Sequence, residues 1–226
     1  MVVFPNAKIN LGLNILNKRK DGYHGVETCF YPVPWRDALE IIESDKTFVT
    51  TSGSPIPDDG DNIVLKAYHL LATDFALPPL HIHLHKEIPI GAGLGGGSAD
   101  AAFMLRLLNS QYNLGIDDEA LKKYAVRLGA DCAFFMENKP ILAAGIGEKL
   151  EAIDISLAGK YILLIYPDIH ISTKEAYSGI SPRKPERDIK SILSEEPITS
   201  WKDHLNNDFE GHLFQKYPIL KSLKKH

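Results

Sequence analysis

The sequence predicts an α+β fold, and three observations support this class. Residues 6–15, NAKINLGLNI, alternate apolar and polar side chains, which is the periodicity of a strand with one buried face. Strand-like hairpins alternate with helical segments, without the regular strand–helix–strand rhythm of a doubly wound parallel sheet. Five glycines occupy the seven positions 91–97, directly before a helical segment. Hairpins and helices joined in this irregular order are typical of α+β proteins.

The first strand begins a predicted hairpin. The turn NKRKDGYHG contains Asp21 and Gly22, and VETCFYPV at residues 26–33 predicts the returning strand. Further strands are expected in LHIHLHKEI (80–88), PILAAGIGEKLEAI (140–153) and KYILLIYP (160–167). Because a single strand cannot satisfy its own backbone, the last of these needs partners from the first part of the chain or from residues beyond it.

Helices are predicted between these strands. NIVLKAYHLLATDF follows the loop SPIPDDGDN and has Asn62 as its N-cap, and a second helix runs from Ala99 to Asn109. GIDDEALKKYAVRLG opens with acidic residues and closes at Gly129. From Thr173 onward the pattern is mostly helical and polar.

Composition excludes several classes of protein. The formal net charge is −4 and the basic residues are scattered, which argues against a general nucleic-acid binder. Cys29 and Cys132 cannot build a disulfide framework, so a reducing, cytoplasmic compartment is expected. The N-terminus has no signal-peptide pattern, and YILLIY is too short to span a membrane. We expect a cytoplasmic monomer or weak dimer with two domains, residues 1–155 and 156–226.

The glycine-rich loop has the composition of a phosphate-binding backbone. Side chains obstruct the approach of a phosphate to backbone N–H groups, and some of the dihedral angles that this requires are open only to glycine. A helix directly downstream adds unpaired N–H groups and about half a positive charge. A flexible connection is the alternative interpretation.

Two familiar phosphate-loop motifs fit this loop poorly. Gly91, Gly93 and Gly96 match G-x-G-x-x-G, but the acidic residues about 20 positions further on open a helix and do not follow a second parallel strand. A Walker loop fails because Gly97 stands where its lysine belongs. A third kind of cradle remains, in which the backbone and Ser98 hold the phosphate.

Several polar residues allow two interpretations. Asp131 is either the N-cap of the next helix or a carboxylate that orients an attacking hydroxyl. Lys8 lies either on a solvated strand face or beside Asp131, where it would keep that carboxylate ionised. Tyr23 and His24 flank the predicted turn, and Cys132 is expected in the core rather than as a nucleophile.

The run HIHLH places three histidines on one strand face. The outer two lie too far apart to bind one metal ion, so an exposed strand face is expected for His81, His83 and His85.

Four ordered motifs carry a family resemblance. PIGAGLGGGSAD resembles the P-x-x-x-G-L-G-G-G-S-A-D loop of the superfamily of galactokinase, homoserine kinase, mevalonate kinase and phosphomevalonate kinase, the GHMP kinases. Within it, NAKINLGLNI, DGYH and GADCAFF resemble the 4-diphosphocytidyl-2-C-methyl-D-erythritol kinase family. The resemblance continues in order to NNDFEGHLFQKYP, residues 206–218.

This resemblance implies a kinase that transfers the γ-phosphate of ATP, with Mg²⁺, to the 2-hydroxyl of 4-diphosphocytidyl-2-C-methyl-D-erythritol in non-mevalonate isoprenoid (terpenoid) biosynthesis. It also implies a two-lobed GHMP-kinase fold, whose N-terminal lobe is similar to domain 2 of ribosomal protein S5 and whose C-terminal lobe is α/β.

The resemblance also implies roles for individual residues. Asp131 would be the base and Lys8 its partner, while Ser98 is a candidate ligand of Mg²⁺ and Lys86 would flank the nucleotide base. The implied substrate-binding residues are Asn10, Tyr23, His24 and Tyr177, with the aromatic faces stacking on cytosine and His24 reading its polar edge. The implied ATP-binding residues are Pro89, Ile90, Gly91, Ala92, Gly93, Leu94, Gly95, Gly96, Gly97, Ser98 and Ala99.

One departure from the family pattern concerns the C-terminus. The third glycine-rich motif, a G-S-G element, is absent because the sequence stops at His226, so an incomplete C-terminal lobe is expected. Two alternatives stay open: a sister kinase for mevalonate or homoserine, in which Tyr23 and His24 would be idle, and a nucleotide-binding module without catalysis.

Overall fold

The computed structural model describes residues 1–56, 62–169 and 171–225. The predicted loop SPIPDDGDN falls largely on residues 57–61, which lie outside the described residues. The chain forms two compact units, each made of two sequence segments: unit 1 is Met1–Ile9 with Pro32–Lys139, and unit 2 is Asn10–Tyr31 with Pro140–His226. These boundaries differ from the expected division after residue 155, which stays a prediction.

Strands and helices alternate irregularly along the chain. The strands are β1 (Val2–Val3), β2 (Asn6–Lys18), β3 (His24–Arg36), β4 (Ala38–Glu43), β5 (Phe48–Gly53), β6 (Leu80–Lys86), β7 (Ile141–Gly145) and β8 (Lys149–Ala152). The helices are α1 (Ile63–Ala72), α2 (Gly96–Gln111), α3 (Asp118–Leu128), α4 (Cys132–Glu137), α5 (Thr173–Ser178), α6 (Ile189–Glu195), α7 (Trp201–His204), α8 (Glu210–Lys216) and α9 (Pro218–Lys225). Within the described part of the chain, no helix is long and apolar enough to cross a membrane.

Unit 1 is built on a sheet with the strand order β1-β4-β6-β5. β4 runs antiparallel to β6 and β5 runs parallel to it, so that Ile41 and Val49 both lie opposite Ile82. Ile82, Leu84 and Leu39 belong to a hydrophobic core that also takes in the buried residues of α1, α2 and α3. This core supports the segment that connects β6 to α2.

The helices of unit 1 begin and end largely where the sequence predicts. The Asn62 side chain accepts a hydrogen bond from Val64 N at 3.0 Å, which confirms the predicted cap of α1. Gly129 is the C-cap of α3, as expected. α2 begins at Gly96 rather than at Ala99, because the last two glycines of the loop already adopt helical conformations and Gly95 takes the N-cap position.

The three histidines of β6 lie on one face, as their spacing predicts, and are half-buried. Thr50 Oγ1 lies 2.7 Å from His81 Nε2 and 2.8 Å from His83 Nδ1, and Ser52 Oγ lies 2.8 Å from His85 Nδ1. Each of the three histidine rings therefore has a nitrogen within hydrogen-bond distance of a hydroxyl group of β5. Across the described residues, no cluster of three or more His, Cys, Asp or Glu side chains could hold a metal ion.

Unit 2 contains most of the predicted hairpin. β2 and β3 are joined by a turn in which Gly22 has φ = +88°, and the sheet order is β2-β3-β7-β8. β3 runs antiparallel to β7, with Cys29 opposite Leu142. These two side chains pack with Ile189 and Leu193 of α6 in a second hydrophobic core.

The prediction of a strand at residues 160–167 is wrong. Residues 161–166 are not assigned to any strand, and the side chains of Tyr161, Leu163 and Ile165 are exposed. An apolar run forms a strand only where another strand can pair with its backbone, and within the described residues nothing pairs with this one.

Candidate active site

The glycine loop adopts conformations that favour glycine. Gly91, Gly93 and Gly95 have φ of +74°, +73° and +71°, in the left-handed region that side chains disfavour. Gly95 is the N-cap of α2, and glycine has no side chain that could make a capping hydrogen bond. The N-cap residue therefore offers no side-chain acceptor to the first N–H groups of α2, which suits a helix start that binds an anion.

The glycines of the loop differ in the space around them. A Cβ atom on Gly95 would lie 3.0 Å from both Lys8 Cγ and Phe135 Cζ. A Cβ on Gly97 would have its nearest described neighbour, Ile63 Cγ2, 4.0 Å away. Packing and backbone conformation both require glycine at position 95, whereas position 97 is helical and open.

Lys8 links strand β2 to the loop and to Asp131. Its backbone N–H donates to Leu94 O at 2.8 Å, and its Nζ lies 3.4 Å from Asp131 Oδ2. Only 6% of the Lys8 side chain is exposed, compared with 34% of the Asp131 side chain. The carboxylate is thus open to a small molecule while its cationic partner is held beneath it.

The contacts of Asp131 contradict the interpretation of its side chain as a helix cap. Asp131 takes the N-cap position of α4, but its side chain makes no capping hydrogen bond to the described residues. Its backbone has helical angles (φ −74°, ψ −15°), whereas a capping residue normally has extended ones. The carboxylate instead pairs with Lys8.

Because Lys8 is buried, we expect a specific pH dependence of the free energy of unfolding. Burial lowers the pKa of its ammonium below the ordinary 10.5, although the Asp131 carboxylate opposes this shift. Between the folded pKa and 10.5 the unfolded chain binds more protons, so the contribution of Lys8 to the free energy of unfolding rises with pH in that window. We expect wild type to gain stability relative to Lys8→Met between pH 7 and about 10.5 in urea unfolding. A difference between the two proteins that is independent of pH would contradict the shift.

Lys86 does not have the environment predicted for a residue that flanks a nucleotide base. Its side chain is 3% exposed, and Nζ pairs with Asp37 Oδ2 and, at 2.7 Å, with Asp100 Oδ2. Asp37 Oδ1 accepts from the backbone N–H groups of Glu87 and Ile88 at 2.7 and 2.9 Å. The expectation for Lys86 is therefore wrong, because its charge is already engaged in the interior.

Asp100 belongs to the same buried cluster. Burial raises the pKa of its carboxyl to about 8, against the opposing effect of Lys86, and Asp37 raises it further. Its Oδ1 has no hydrogen-bond partner among the described residues. Sequence reasoning missed this cluster. Asp100 stands in the quoted loop motif and could have been flagged, whereas no local signal marks Asp37.

Unit 2 brings together two of the predicted substrate-binding residues. The rings of His24 and Tyr177 are stacked, with centroids 5.0 Å apart and an interplanar angle of 21°. Phe209 meets Tyr177 edge-on, also at 5.0 Å. Tyr23, by contrast, is 61% exposed at the turn. One face of both the His24 and the Tyr177 ring is thus covered by the other.

Asn10 is held in a fixed orientation within unit 2. Its Nδ2 donates to Thr28 Oγ1 at 2.9 Å, and Thr28 Oγ1 donates to Gly12 O at 2.6 Å. A side-chain amide oriented in this way is suited to hydrogen bonding with a ligand.

Comparison with known proteins identifies the family. Residues 62–139 match the model of the N-terminal domain of GHMP kinases. A curated relative from Bacteroides fragilis, named 4-diphosphocytidyl-2-C-methyl-D-erythritol kinase, is 52% identical over an alignment of 230 positions that covers 100% of this chain and 84% of the relative. This chain belongs to the 4-diphosphocytidyl-2-C-methyl-D-erythritol kinase family.

Other members of the 4-diphosphocytidyl-2-C-methyl-D-erythritol kinase family are also similar to this chain. A relative of the same name from Cytophaga hutchinsonii is 52% identical over 227 residues, with the same coverage of both chains. The crystal structure of a 4-(cytidine 5'-diphospho)-2C-methyl-D-erythritol kinase matches with a TM-score of 0.77 and 30% identity, over 99% of this chain and 81% of that chain. The GHMP-kinase fold that the motifs imply is therefore confirmed.

Proposed function

We propose that this protein is an ATP-dependent kinase that phosphorylates the 2-hydroxyl of 4-diphosphocytidyl-2-C-methyl-D-erythritol in non-mevalonate isoprenoid biosynthesis. The observation that carries the proposal is the pairing of Lys8 with a partly exposed Asp131 in a chain where Lys8 also holds the glycine loop through Leu94. Relatives that match this chain over its full length bear the name of this kinase.

The glycine loop and the start of α2 bind the ATP phosphates in this proposal. Backbone N–H groups point at the phosphate oxygens and the helix dipole favours negative charge. The residues assigned to ATP are those of the loop, positions 89–99, with Gly97 leaving room for a phosphate because no described side chain approaches a Cβ there closer than 4.0 Å.

Asp131 orients the attacking hydroxyl and accepts its proton. A largely dissociative phosphoryl transfer asks for little basicity, so an ordinary carboxylate in the correct position is sufficient. Lys8 keeps Asp131 ionised and stabilises the negative charge that develops on the transferred phosphoryl group. The burial of Lys8 strengthens this interaction, since water screens it poorly.

Mg²⁺ fits this site as an ion that is carried by the nucleotide. Because the described residues contain no group of three or more His, Cys, Asp or Glu side chains that could hold a metal ion, the protein would offer the Ser98 hydroxyl, and the remaining ligands would be phosphate oxygens and water. When bound, the ion neutralises phosphate charge.

Asn10, Tyr23, His24 and Tyr177 bind the cytidine part of the acceptor. Stacking on an aromatic ring together with hydrogen bonds to the polar edge is a common way of selecting a base. The contact between the His24 and Tyr177 rings supports an aromatic platform in unit 2 on which the base stacks. Asn10 contributes a hydrogen bond from its oriented amide.

The cellular setting is part of the same proposal. Both cysteines are buried thiols, which is consistent with a reducing cytoplasm. The partners are small molecules rather than nucleic acid or membrane, and the protein acts as a monomer or weak dimer.

The proposal is tested by measuring ADP release with a panel of alcohols. We expect turnover with the cytidine-bearing substrate and none above background with mevalonate or homoserine, because those alcohols have no base to stack on His24 or Tyr177. The position of the new phosphomonoester is read by phosphorus NMR. Equal turnover of all three alcohols would indicate a sister kinase. ATP binding without ADP release from any of them would indicate a module without catalysis.

A further inference from the structure

Three buried ionic side chains surround the base of the glycine loop; we call them the buried triad, Asp37, Lys86 and Asp100. Their side chains are at most 3% exposed. Lys86 is the last residue of β6, and Asp100 lies near the start of α2. The glycine loop is the segment between these two residues.

The contacts of the triad connect both ends of the loop. Lys86 Nζ donates to Asp100 Oδ2 at 2.7 Å, which joins the end of β6 directly to α2. Lys86 Nζ also pairs with Asp37, whose other oxygen accepts from the N–H groups of Glu87 and Ile88. The two residues that follow β6 are therefore oriented by the same carboxylate that holds Lys86.

The triad also lies directly against the loop backbone. A Cβ on Gly96 would be 3.2 Å from Lys86 Nζ, so the ammonium packs beneath the first residue of α2. A buried ammonium this close to a helix start repels the positive end of the dipole, and the two carboxylates compensate for its charge.

Stability alone does not account for such a cluster. Replacing buried ion pairs by apolar side chains of similar volume is often neutral or stabilising, because the desolvation of the charges offsets their attraction. What the charges provide is one specific arrangement of the groups that they join.

We propose that the buried triad is a positioning device that holds the glycine loop in its phosphate-binding conformation without contacting the nucleotide. This inference rests on the proposed function, since it takes the loop to be the ATP site. Lys86 and Asp100 fix the distance between the two ends of the loop, and Asp37 fixes the direction in which the chain leaves β6.

The test compares two substitutions of Asp100. Asp100→Asn keeps an oxygen that accepts from Lys86, whereas Asp100→Leu has the same branched shape, is somewhat larger and offers no acceptor. Leu leaves Lys86 paired with Asp37 and removes a buried carboxyl whose Oδ1 has no hydrogen-bond partner among the described residues, so we expect the thermal midpoint of Asp100→Leu to stay close to that of wild type. We expect its dissociation constant and KM for ATP to rise about 10- to 100-fold, with kcat at saturating ATP within about 3-fold of wild type.

Asp100→Asn should stay within about 3-fold of wild type in both constants, because the hydrogen bond is preserved. Met104→Ala is the control for lost stability, since Met104 is a fully buried core residue of the same helix. It should lower the thermal midpoint and leave ATP affinity unchanged. A structural role alone would make ATP affinity follow stability across all three variants.

Unchanged ATP affinity in Asp100→Leu would overturn the proposal. Should this variant fail to fold, the uncharged combination Asp37→Asn, Lys86→Met and Asp100→Leu takes its place, with the same expectation for ATP and the same outcome against it. Wild-type protein that binds no ATP would end both this inference and the proposed function. Wild type that turns over the cytidine substrate, together with an Asp100→Leu protein that binds ATP normally, would remove only the role of the triad.

Discussion

Asp131→Asn is expected to lower kcat by roughly 10²- to 10⁴-fold while the dissociation constant for ATP changes by less than about 3-fold. Asn keeps the shape of the side chain but cannot accept the proton of the attacking hydroxyl. It also removes the anionic partner of Lys8, whose Nζ lies 3.4 Å from Asp131 Oδ2. The loss should therefore appear in the chemical step, measured by single-turnover kinetics, and not in nucleotide binding, measured by calorimetric titration.

Asp118→Asn is the matched control for this prediction. Asp118 is an exposed carboxylate in the first turn of α3, so the same chemical change there should leave both kcat and ATP binding unaltered. Equal losses of turnover and ATP affinity in Asp131→Asn would show that Asp131 supports the fold of the site rather than the reaction.

Gly95→Ala is expected to abolish measurable ATP binding and to lower the free energy of unfolding by about 1–3 kcal/mol. The added Cβ would meet Lys8 Cγ and Phe135 Cζ at 3.0 Å, and φ of +71° disfavours any side chain. The strain is relieved only if the loop moves away from Lys8, which displaces the amides that we propose to hold phosphate. Urea unfolding and ATP titration on the same protein measure both effects.

Substitutions of Gly93 and Gly97 distinguish backbone strain, steric contact and loss of ATP binding as effects of a Cβ atom in the glycine loop. Gly93 has nearly the same φ, +73°, but no described atom lies within 4 Å of its Cβ position, so Gly93→Ala should cost only the backbone strain, about 1 kcal/mol. Gly97→Ala should leave the free energy of unfolding unchanged or raise it by up to about 1 kcal/mol, because the position is helical and open, and should still weaken ATP binding. Wild-type affinity in Gly97→Ala would mean that phosphate does not approach the start of α2.

Patterns that depend on neighbouring residues were readable from the sequence. The alternation of residues 6–15 predicted the strand β2, but the prediction of a single buried face is wrong, since Lys8 and Asn14 on the polar face are buried as well. Asn62 predicted the cap of α1, and the glycine density predicted a loop with left-handed backbone before a helix. These features follow from side-chain periodicity and dihedral preference, which act over a few residues. The family resemblance was likewise carried by short, ordered motifs.

Features that depend on distant residues needed the fold. From the sequence, Lys86 at the end of LHIHLHKEI is predicted to be available to a ligand. Only the packing of Asp37 and Asp100 around it shows that its charge is buried and neutralised. The apolar run at residues 160–167 has the composition of a strand, but strand formation depends on a pairing partner that composition does not reveal.

Local chemistry thus predicted the fold class and a glycine-rich loop before a helix, and the family resemblance supplied the kinase roles of individual residues, which stay predictions. The tertiary structure decided against the capping interpretation of Asp131, by placing the Lys8 ammonium next to its carboxylate and leaving α4 without a cap from that side chain. The physical reason is that capping is a contact within one turn of chain, whereas an ion pair between residues so distant in sequence exists only after the strand and the helix have packed together.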